Sequence, residues 1–108
     1  MKQLTEYLEG AALHWAVARC LGKRPSLFIF EQTGDLAREH AYSTDWSLAG
    51  PIIESYHIAI WWDGVWHSKL DGCQPHEVQD AFDPLVAAMR CYVYSELGET
   101  VDIPDELT

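Results

Sequence analysis

Basic residues are scarce in this chain of 108 residues, and they are scarcest in its second half. Seven Lys and Arg stand against seventeen Asp and Glu, which gives a formal net charge of -10. After residue 50, Lys69 and Arg90 are the only Lys or Arg. Because such a surface is repelled by phosphate backbones, direct nucleic-acid binding is disfavoured. Two interpretations stay open: an acidic surface attracts a basic partner protein, or it simply keeps a small protein soluble.

Long apolar runs are also missing. No run approaches the roughly 20 residues that a membrane-spanning helix needs, so we expect no membrane insertion. The first residues lack the basic start and apolar block of a signal peptide. The three cysteines are odd in number and contain no Cys-x-x-Cys motif. We therefore expect a cytoplasmic protein.

Motifs for catalysis and cofactor binding are absent as well. The sequence contains no P-loop, no Gly-x-Gly-x-x-Gly and no Gly-x-Ser-x-Gly nucleophile elbow. The metal-capable side chains of His67, Asp71, Cys73 and His76 follow no spacing typical of zinc sites. We assign no catalytic residue, cofactor or metal ligand, and we favour a non-enzymatic protein over an enzyme.

Two helical patterns lie near the two ends of the chain. The first covers residues 5–21 and has Thr5 as its N-cap. The second covers residues 84–97, with Asp83 as N-cap and Pro84 at the first helical position. Both patterns carry apolar stripes, so we expect two core helices.

Residues 56–69 give the clearest strand signal. Asp63 and Gly64 interrupt an alternating pattern and are typical of a two-residue type I′ hairpin turn. That turn would place Trp61 opposite Trp66, on one face of the hairpin. One face of the hairpin packs on the helices. A tryptophan pair on the other face would have to be covered by a loop, a partner subunit or a ligand.

Other elements are weaker. An apolar run predicts a central strand over residues 26–30, and short helical turns are predicted within residues 36–42 and 76–81. Together, the predicted helices and strands indicate an α+β fold: a small, mostly antiparallel sheet of three to four strands packed against two main helices. We expect one domain over residues 1–108, with an acidic tail from about residue 99 that docks through its apolar residues.

Residues 43–54 show no helical or strand period, although they combine hydroxyls, carboxylates, a tryptophan and a Gly-Pro turn. A long connection inside a small domain is more often a binding loop than a spacer. We therefore predict a binding loop whose ligand- or partner-binding residues are Ser43, Thr44, Asp45, Trp46 and Glu54. The structural alternative is that its hydroxyls and Asp45 cap a turn while Trp46 anchors the loop in the core.

Arg90 lies beside the apolar stripe of the last predicted helix. A desolvated guanidinium without a partner is costly, so it requires a carboxylate or an anion. Glu54 and Asp45 are the candidates within the chain, and a phosphate or carboxylate of a ligand is the alternative. Arg90 therefore joins Trp61 and Trp66 among the candidate binding residues.

Three segments of the chain together resemble the NinX-like family of small phage proteins, a domain of unknown function. They are AALHWAVARC at residues 11–20, STDW with GPIIE at residues 43–46 and 50–54, and PLVAAMRCYV with LG and VDIPDEL between residues 84 and 107. The resemblance implies a phage or prophage product that acts inside a bacterial cell. It implies no reaction.

Two functional hypotheses follow. The first is a phage accessory protein that engages or inhibits a host or phage protein through the Trp61/Trp66 face and the acidic second half, with homodimerisation through the same face as a variant. The alternative is a small-molecule or nucleotide-derivative binder, or a minor enzyme, with a pocket between residues 43–54 and the last helix. Its pocket would use Trp46, Asp45, Glu54 and Arg90, with His14 or Trp15. A deep cleft at Arg90 favours the alternative, and a flat tryptophan surface favours the first hypothesis.

Overall fold

Residues 1–23 and 40–107 are described by a computed structural model, and they contain three α-helices and five β-strands. The helices are α1 (Gly10–Cys20), α2 (Trp46–Tyr56) and α3 (Pro84–Leu97). The strands are β1 (Lys2–Leu4), β2 (Ala59–Trp62), β3 (Trp66–Lys69), β4 (Gln79–Ala81) and β5 (Thr100–Asp102). Short 3-10 turns occupy Thr5–Tyr7, Pro75–Glu77 and Asp105–Leu107. The predicted strand over residues 26–30 and most of the predicted turn over residues 36–42 lie outside the described residues.

The α+β class is confirmed. Strands β2, β3 and β4 form an antiparallel sheet in that order, and β1 pairs with β5 in a second, two-stranded antiparallel sheet. Strand β4 corrects the helical turn predicted over residues 76–81: a 3-10 turn covers Pro75–Glu77, and the chain then pairs with β3.

Helix α3 is the central element, and its start is confirmed as predicted. The Asp83 carboxylate accepts hydrogen bonds from the backbone N–H groups of Leu85 (2.9 Å) and Val86 (3.2 Å). Gly98 ends the helix with φ +86°, a backbone conformation that favours glycine. One side of α3 packs on the three-stranded sheet, and α1 and α2 also pack against α3. The predicted contact of the last helix with the sheet is thus present, whereas α1 packs mainly on α3.

The core combines side chains from all three helices and from the C-terminal tail. Its fully or almost fully buried members include Leu13, Val17, Ala49, Met89, Tyr92, Val93 and Ile103. Burying each large aliphatic or aromatic side chain stabilises the fold by about 1.5–3 kcal/mol. Val101, Ile103 and Leu107 are buried, so the acidic tail docks on the body as predicted.

Helix α1 starts later than the sequence predicts, at Gly10 instead of Thr5. Gly10 has φ +56°, which breaks the helical path that the apolar pattern suggested. Thr5 is therefore not the N-cap of α1, which is Glu9. Its hydroxyl donates to the Gly98 carbonyl (2.6 Å) and its backbone N–H donates to the Glu99 carbonyl (2.8 Å). These two bonds fix the N-terminal segment against the end of α3.

The hairpin register differs by one residue from the prediction. Trp62 pairs with Trp66 and Trp61 pairs with His67. A type I′ turn needs positive φ at both central residues, but Asp63 is not among the residues with positive φ in the described part, whereas Gly64 is, at +108°. The loop therefore extends to Val65, whose carbonyl accepts the Asp63 N–H (3.1 Å). The prediction that Trp61 and Trp66 share a face is wrong, because a shift of one residue moves side chains to opposite faces.

Residues 46–56 form a helix, so the irregular loop predicted over residues 43–54 is wrong for most of its length. Asp45 caps α2 by accepting from the Ser47 N–H (2.9 Å) and the Ser47 hydroxyl (2.6 Å). Ala49 and Ile52 are buried where α2 packs on α3. Burial of this face offsets the cost of Pro51, which lacks the N–H that would donate to the Ser47 carbonyl.

Candidate functional site

One face of α3 borders a cleft that lies between the N-terminal segment and β4. Val86, Arg90 and Tyr94 follow one another at intervals of four residues, which places them on the same side of the helix. Val86 and Arg90 line a cleft, and Tyr94 lines a smaller pocket beside it. The two hydrogen bonds of Thr5 hold the Thr5–Tyr7 turn on the opposite wall.

Arg90 connects three parts of the structure at the cleft. Its Nε donates to the Leu8 carbonyl (2.7 Å) and its Nη1 donates to the Asp80 carbonyl (2.8 Å). Desolvation lowers the pKa of the guanidinium, while the carboxylates of Glu9 and Glu6 act in the opposite direction. An arginine stays charged in proteins, so the cleft contains a fixed positive charge.

The predicted bridge from Arg90 to Glu54 or Asp45 is therefore wrong. Its hydrogen-bond partners in the described residues are main-chain carbonyls, and the acids that act on it are Glu9 and Glu6. Carbonyl acceptors satisfy a half-buried guanidinium without a carboxylate contact. Residues 45 and 54 belong instead to α2 and its cap.

The cleft has a volume of about 500 Å³, and we call it the Arg90 cleft. Its apolar lining comes from Tyr7, Val65, Val78, Phe82 and Val86. Of these side chains, Phe82 is 92% exposed and Tyr7 is 69% exposed. Two large aromatic rings at a concave surface are the kind of apolar exposure that marks an interaction site.

Acidic residues form the polar part of the same lining. They are Glu6, Glu9, Asp80 and Asp83. The carboxylate of Asp83 is engaged as the cap of α3, and that of Asp80 contacts His67 at 2.5 Å. Glu6 and Glu9 act on the Arg90 guanidinium and outnumber its single positive charge, so the rim favours cationic groups of a ligand.

The outer face of the sheet carries a second cluster, centred on His67. Its Nδ1 contacts Asp80 (2.5 Å) and its Nε2 contacts Asp63, while its ring stacks on Trp61 with centroids 5.2 Å apart. Hydrogen bonds that the His67 ring donates to the carboxylates of Asp63 and Asp80 raise the pKa of His67. Both ring nitrogens are thereby engaged. Within the described residues, no three His, Cys, Asp or Glu side chains are arranged to hold a metal ion.

The predicted binding residues of the 43–54 segment are dispersed. Ser43 is buried and contacts the His14 ring at 2.5 Å. Thr44 is exposed and its hydroxyl bonds to the Ala41 carbonyl (3.3 Å). Asp45 caps α2. Trp46 does not anchor the core, since 58% of it is exposed, and Glu54 is exposed on α2.

The two hairpin tryptophans lie on opposite faces of the sheet. Trp61 belongs to the outer face with His67, and Lys69 Nζ lies 5.7 Å from the centre of its ring. Trp66 is aligned with Trp62 and Ala81 across the other face. Neither Trp61 nor Trp66 is among the residues that line the Arg90 cleft.

Of the predicted binding residues, Arg90 alone is among those that line the cleft. Sequence reasoning missed Tyr7 and Phe82, because their exposure depends on tertiary packing. One signal was available: Phe82 directly precedes the Asp83 cap and cannot belong to the buried stripe of α3. Within the described residues, no helix has the length and apolar character to cross a membrane.

Comparison with known proteins gives one family. A family model described as Bacteriophage P22, NinX, matches residues 5–96, which is most of the 108-residue chain. The matched range contains every residue that lines the Arg90 cleft. No curated protein matches the chain. The resemblance to NinX-like phage proteins is thereby confirmed.

Proposed function

The chain belongs to the bacteriophage P22 NinX family, and from this premise we propose that it is a phage accessory protein that binds a basic host or phage protein in the Arg90 cleft, without catalysis. The observation that carries the proposal is the exposure of Phe82 and Tyr7 at a concave, acid-rimmed surface. The setting is the cytoplasm of the host bacterium.

The aromatic residues supply the apolar part of the recognition. Burying an exposed ring under a partner removes apolar area from water and contributes more than most polar contacts at an interface. Val65 and Val86 add to the apolar lining of the cleft. A partner that fits this cleft presents an aliphatic or aromatic side chain.

The charges supply selectivity. Glu6 and Glu9 line the cleft, and the whole chain has a formal net charge of -10. Such a field speeds the encounter with a basic surface and repels an acidic one. It also disfavours a homodimer that would bring two copies of this rim together, as well as a phosphate-bearing nucleotide ligand.

A small molecule is the second candidate, favoured by the cleft volume of about 500 Å³. That volume lies within the range of about 300–1,000 Å³ typical of ligand pockets. The acidic rim restricts this candidate to neutral or cationic compounds. The 92% exposure of Phe82 suits a protein surface better than an enclosing pocket, so the protein partner is preferred.

The test is selection of binders from a random twelve-residue peptide library on the immobilised protein. We expect enriched sequences that combine an aliphatic or aromatic residue with Arg or Lys. Synthetic versions of these peptides should bind the Tyr7→Ser/Phe82→Ser double variant at least about tenfold more weakly, because both apolar anchors are lost. Circular dichroism should find this variant folded, since both rings are exposed.

Trp46→Ser is the matched control, because it removes an exposed aromatic side chain on α2. Its affinity for the peptides should equal that of the unaltered protein. The proposal fails if no peptide is enriched. It also fails if Trp46→Ser abolishes binding while the double variant retains it.

A further inference from the structure

A smaller pocket of about 140 Å³ adjoins the Arg90 cleft and shares Glu6 and Gln79 with it. We call it the Glu99 pocket. Its other lining residues are His76, Tyr94 and Glu99. Tyr94 lies one turn after Arg90 on α3, so the cleft and the pocket follow one face of the helix.

Thr5 brings two acidic residues to the lining of this pocket. The hydrogen bonds from Thr5 to the carbonyls of Gly98 and Glu99 hold Glu6, the next residue, beside the chain that follows α3. The pairing of Leu4 with Thr100 extends the same attachment. Glu6 and Glu99 are thereby both held on the lining of this pocket.

Gln79 provides an independent indication of a missing ligand. It is 3% exposed and lines the pocket, and its Nε2 donates to the Glu77 carbonyl (3.3 Å). Its Oε1 is buried and has no hydrogen-bond partner among the described residues. Buried acceptors are almost always satisfied, so an unpaired one in a residue that lines an open pocket is consistent with a donor from outside the chain.

Neither carboxylate of the pocket is paired directly, although the charge of Glu6 also acts on the Arg90 guanidinium. Within the described part of the chain, the side chains of Glu6 and Glu99 make no hydrogen bond and no salt bridge. The guanidinium of Arg90 is committed to the carbonyls of Leu8 and Asp80. The pocket therefore combines two negative charges with a free acceptor.

We propose that the Glu99 pocket binds an arginine side chain of the partner protein. The planar guanidinium offers five N–H donors in a fixed fork, which suits two carboxylates and an amide oxygen better than the point charge of lysine. The ring of Tyr94 adds a surface on which the guanidinium stacks. This inference rests on the proposed function for the identity of the partner, and it adds that the partner places an arginine next to its apolar anchor.

The direct test uses a small probe, N-acetyl-arginine amide, titrated into the isotopically labelled protein and followed by NMR. The amide and side-chain signals of Gln79 and the amide signal of Glu99 should shift, and the same signals should stay unchanged with N-acetyl-citrulline amide, a neutral isostere. Glu99→Gln should weaken arginine binding about tenfold, because one of the two charged acceptors is lost. Glu106→Gln, the same charge change on an exposed turn, should leave it unaltered.

The inference is overturned if citrulline and arginine produce equal shifts, or if Glu106→Gln weakens binding as much as Glu99→Gln. Replacing arginine by citrulline in the selected peptides separates the two proposals. Peptides that need Tyr7 and Phe82 but tolerate citrulline leave the proposed function intact and refute the arginine pocket. Arginine binding at Gln79, with no peptide dependent on Tyr7 or Phe82, supports the pocket and refutes the proposed cleft.

Discussion

Arg90 donates its Nε hydrogen to the main-chain carbonyl of Leu8, 2.7 Å away, across 82 residues of sequence. Its Nη1 donates to the carbonyl of Asp80 at the same time. A single side chain thus joins the segment before α1, the edge strand β4 and the central helix α3. The same three elements form the walls of the Arg90 cleft, so the hydrogen bonds of one guanidinium hold these walls together.

Replacing Arg90 by methionine should lower the free energy of unfolding by about 1.5–3 kcal/mol, because two hydrogen bonds from a charged group are lost. Urea denaturation measures the change. Arg19→Met is the control: Arg19 is exposed and lies over the Trp15 ring at 5.4 Å, so its loss should cost about 0.5–1 kcal/mol. Equal losses for the two variants would contradict the role of Arg90 as a connector.

Pro51→Ala distinguishes a helix from a loop over residues 46–56. In a helix interior, proline removes a hydrogen bond and clashes with the preceding turn, so alanine should raise the free energy of unfolding by about 1–3 kcal/mol. In a loop with a Gly-Pro turn, the same change would lower it by about 0.4–1 kcal/mol. Thermal and urea unfolding report the sign. Pro84→Ala, at the first position of α3, should change stability little.

His67 makes stability depend on pH. Its pKa is raised in the folded state by Asp63 and Asp80, so its stabilising effect is fully present below its unfolded-state pKa of about 6.5 and is lost as the pH rises through the folded-state value. The stability difference between the unaltered protein and His67→Gln should therefore be larger at pH 5.5 than at pH 9. His76→Gln, on an exposed turn, is the control. An equal difference at both pH values would show that the two aspartates do not stabilise the protonated form of His67.

Asp83→Ala should cost about 1 kcal/mol, since the N–H groups of Leu85 and Val86 lose their acceptor. Asp83→Asn retains an acceptor oxygen and should cost clearly less. Asp71→Ala, on an exposed turn, provides the background for removing an acid. If all three variants unfold at the same urea concentration, the cap contributes nothing.

Local signals predicted α3 correctly and α2 incorrectly, and the difference has a physical cause. Around α3, the Asp83 cap, Pro84 and Gly98 all agree with one helix. Around α2, Gly50 and Pro51 favour a turn, and only the packing of Ala49 and Ile52 on α3 reverses that preference. A residue before proline avoids a clash most easily when it is glycine, so the pair that suggested a turn is also the pair that a helix tolerates best.

The hairpin was recognised from its sequence, but its register was not. Asp63 and Gly64 fit both a two-residue turn and the observed longer loop, and the choice depends on the φ angle of Asp63. One residue of register separates a shared Trp61/Trp66 face from tryptophans on opposite faces. In the observed register Ser68 pairs with Ile60 and is buried, and its hydroxyl donates to the Ala87 carbonyl of α3 (2.6 Å).

The sequence alone determined the fold class, the two ends of α3, the acidic balance and the family, because these depend on composition and on contacts between near neighbours. Only the tertiary structure decided that Tyr7 and Phe82 stay exposed, that Arg90 binds main-chain carbonyls, and that Glu6 and Glu99 line the same pocket. Each of these relationships joins residues far apart in the chain, and no local preference of either residue specifies its distant neighbour.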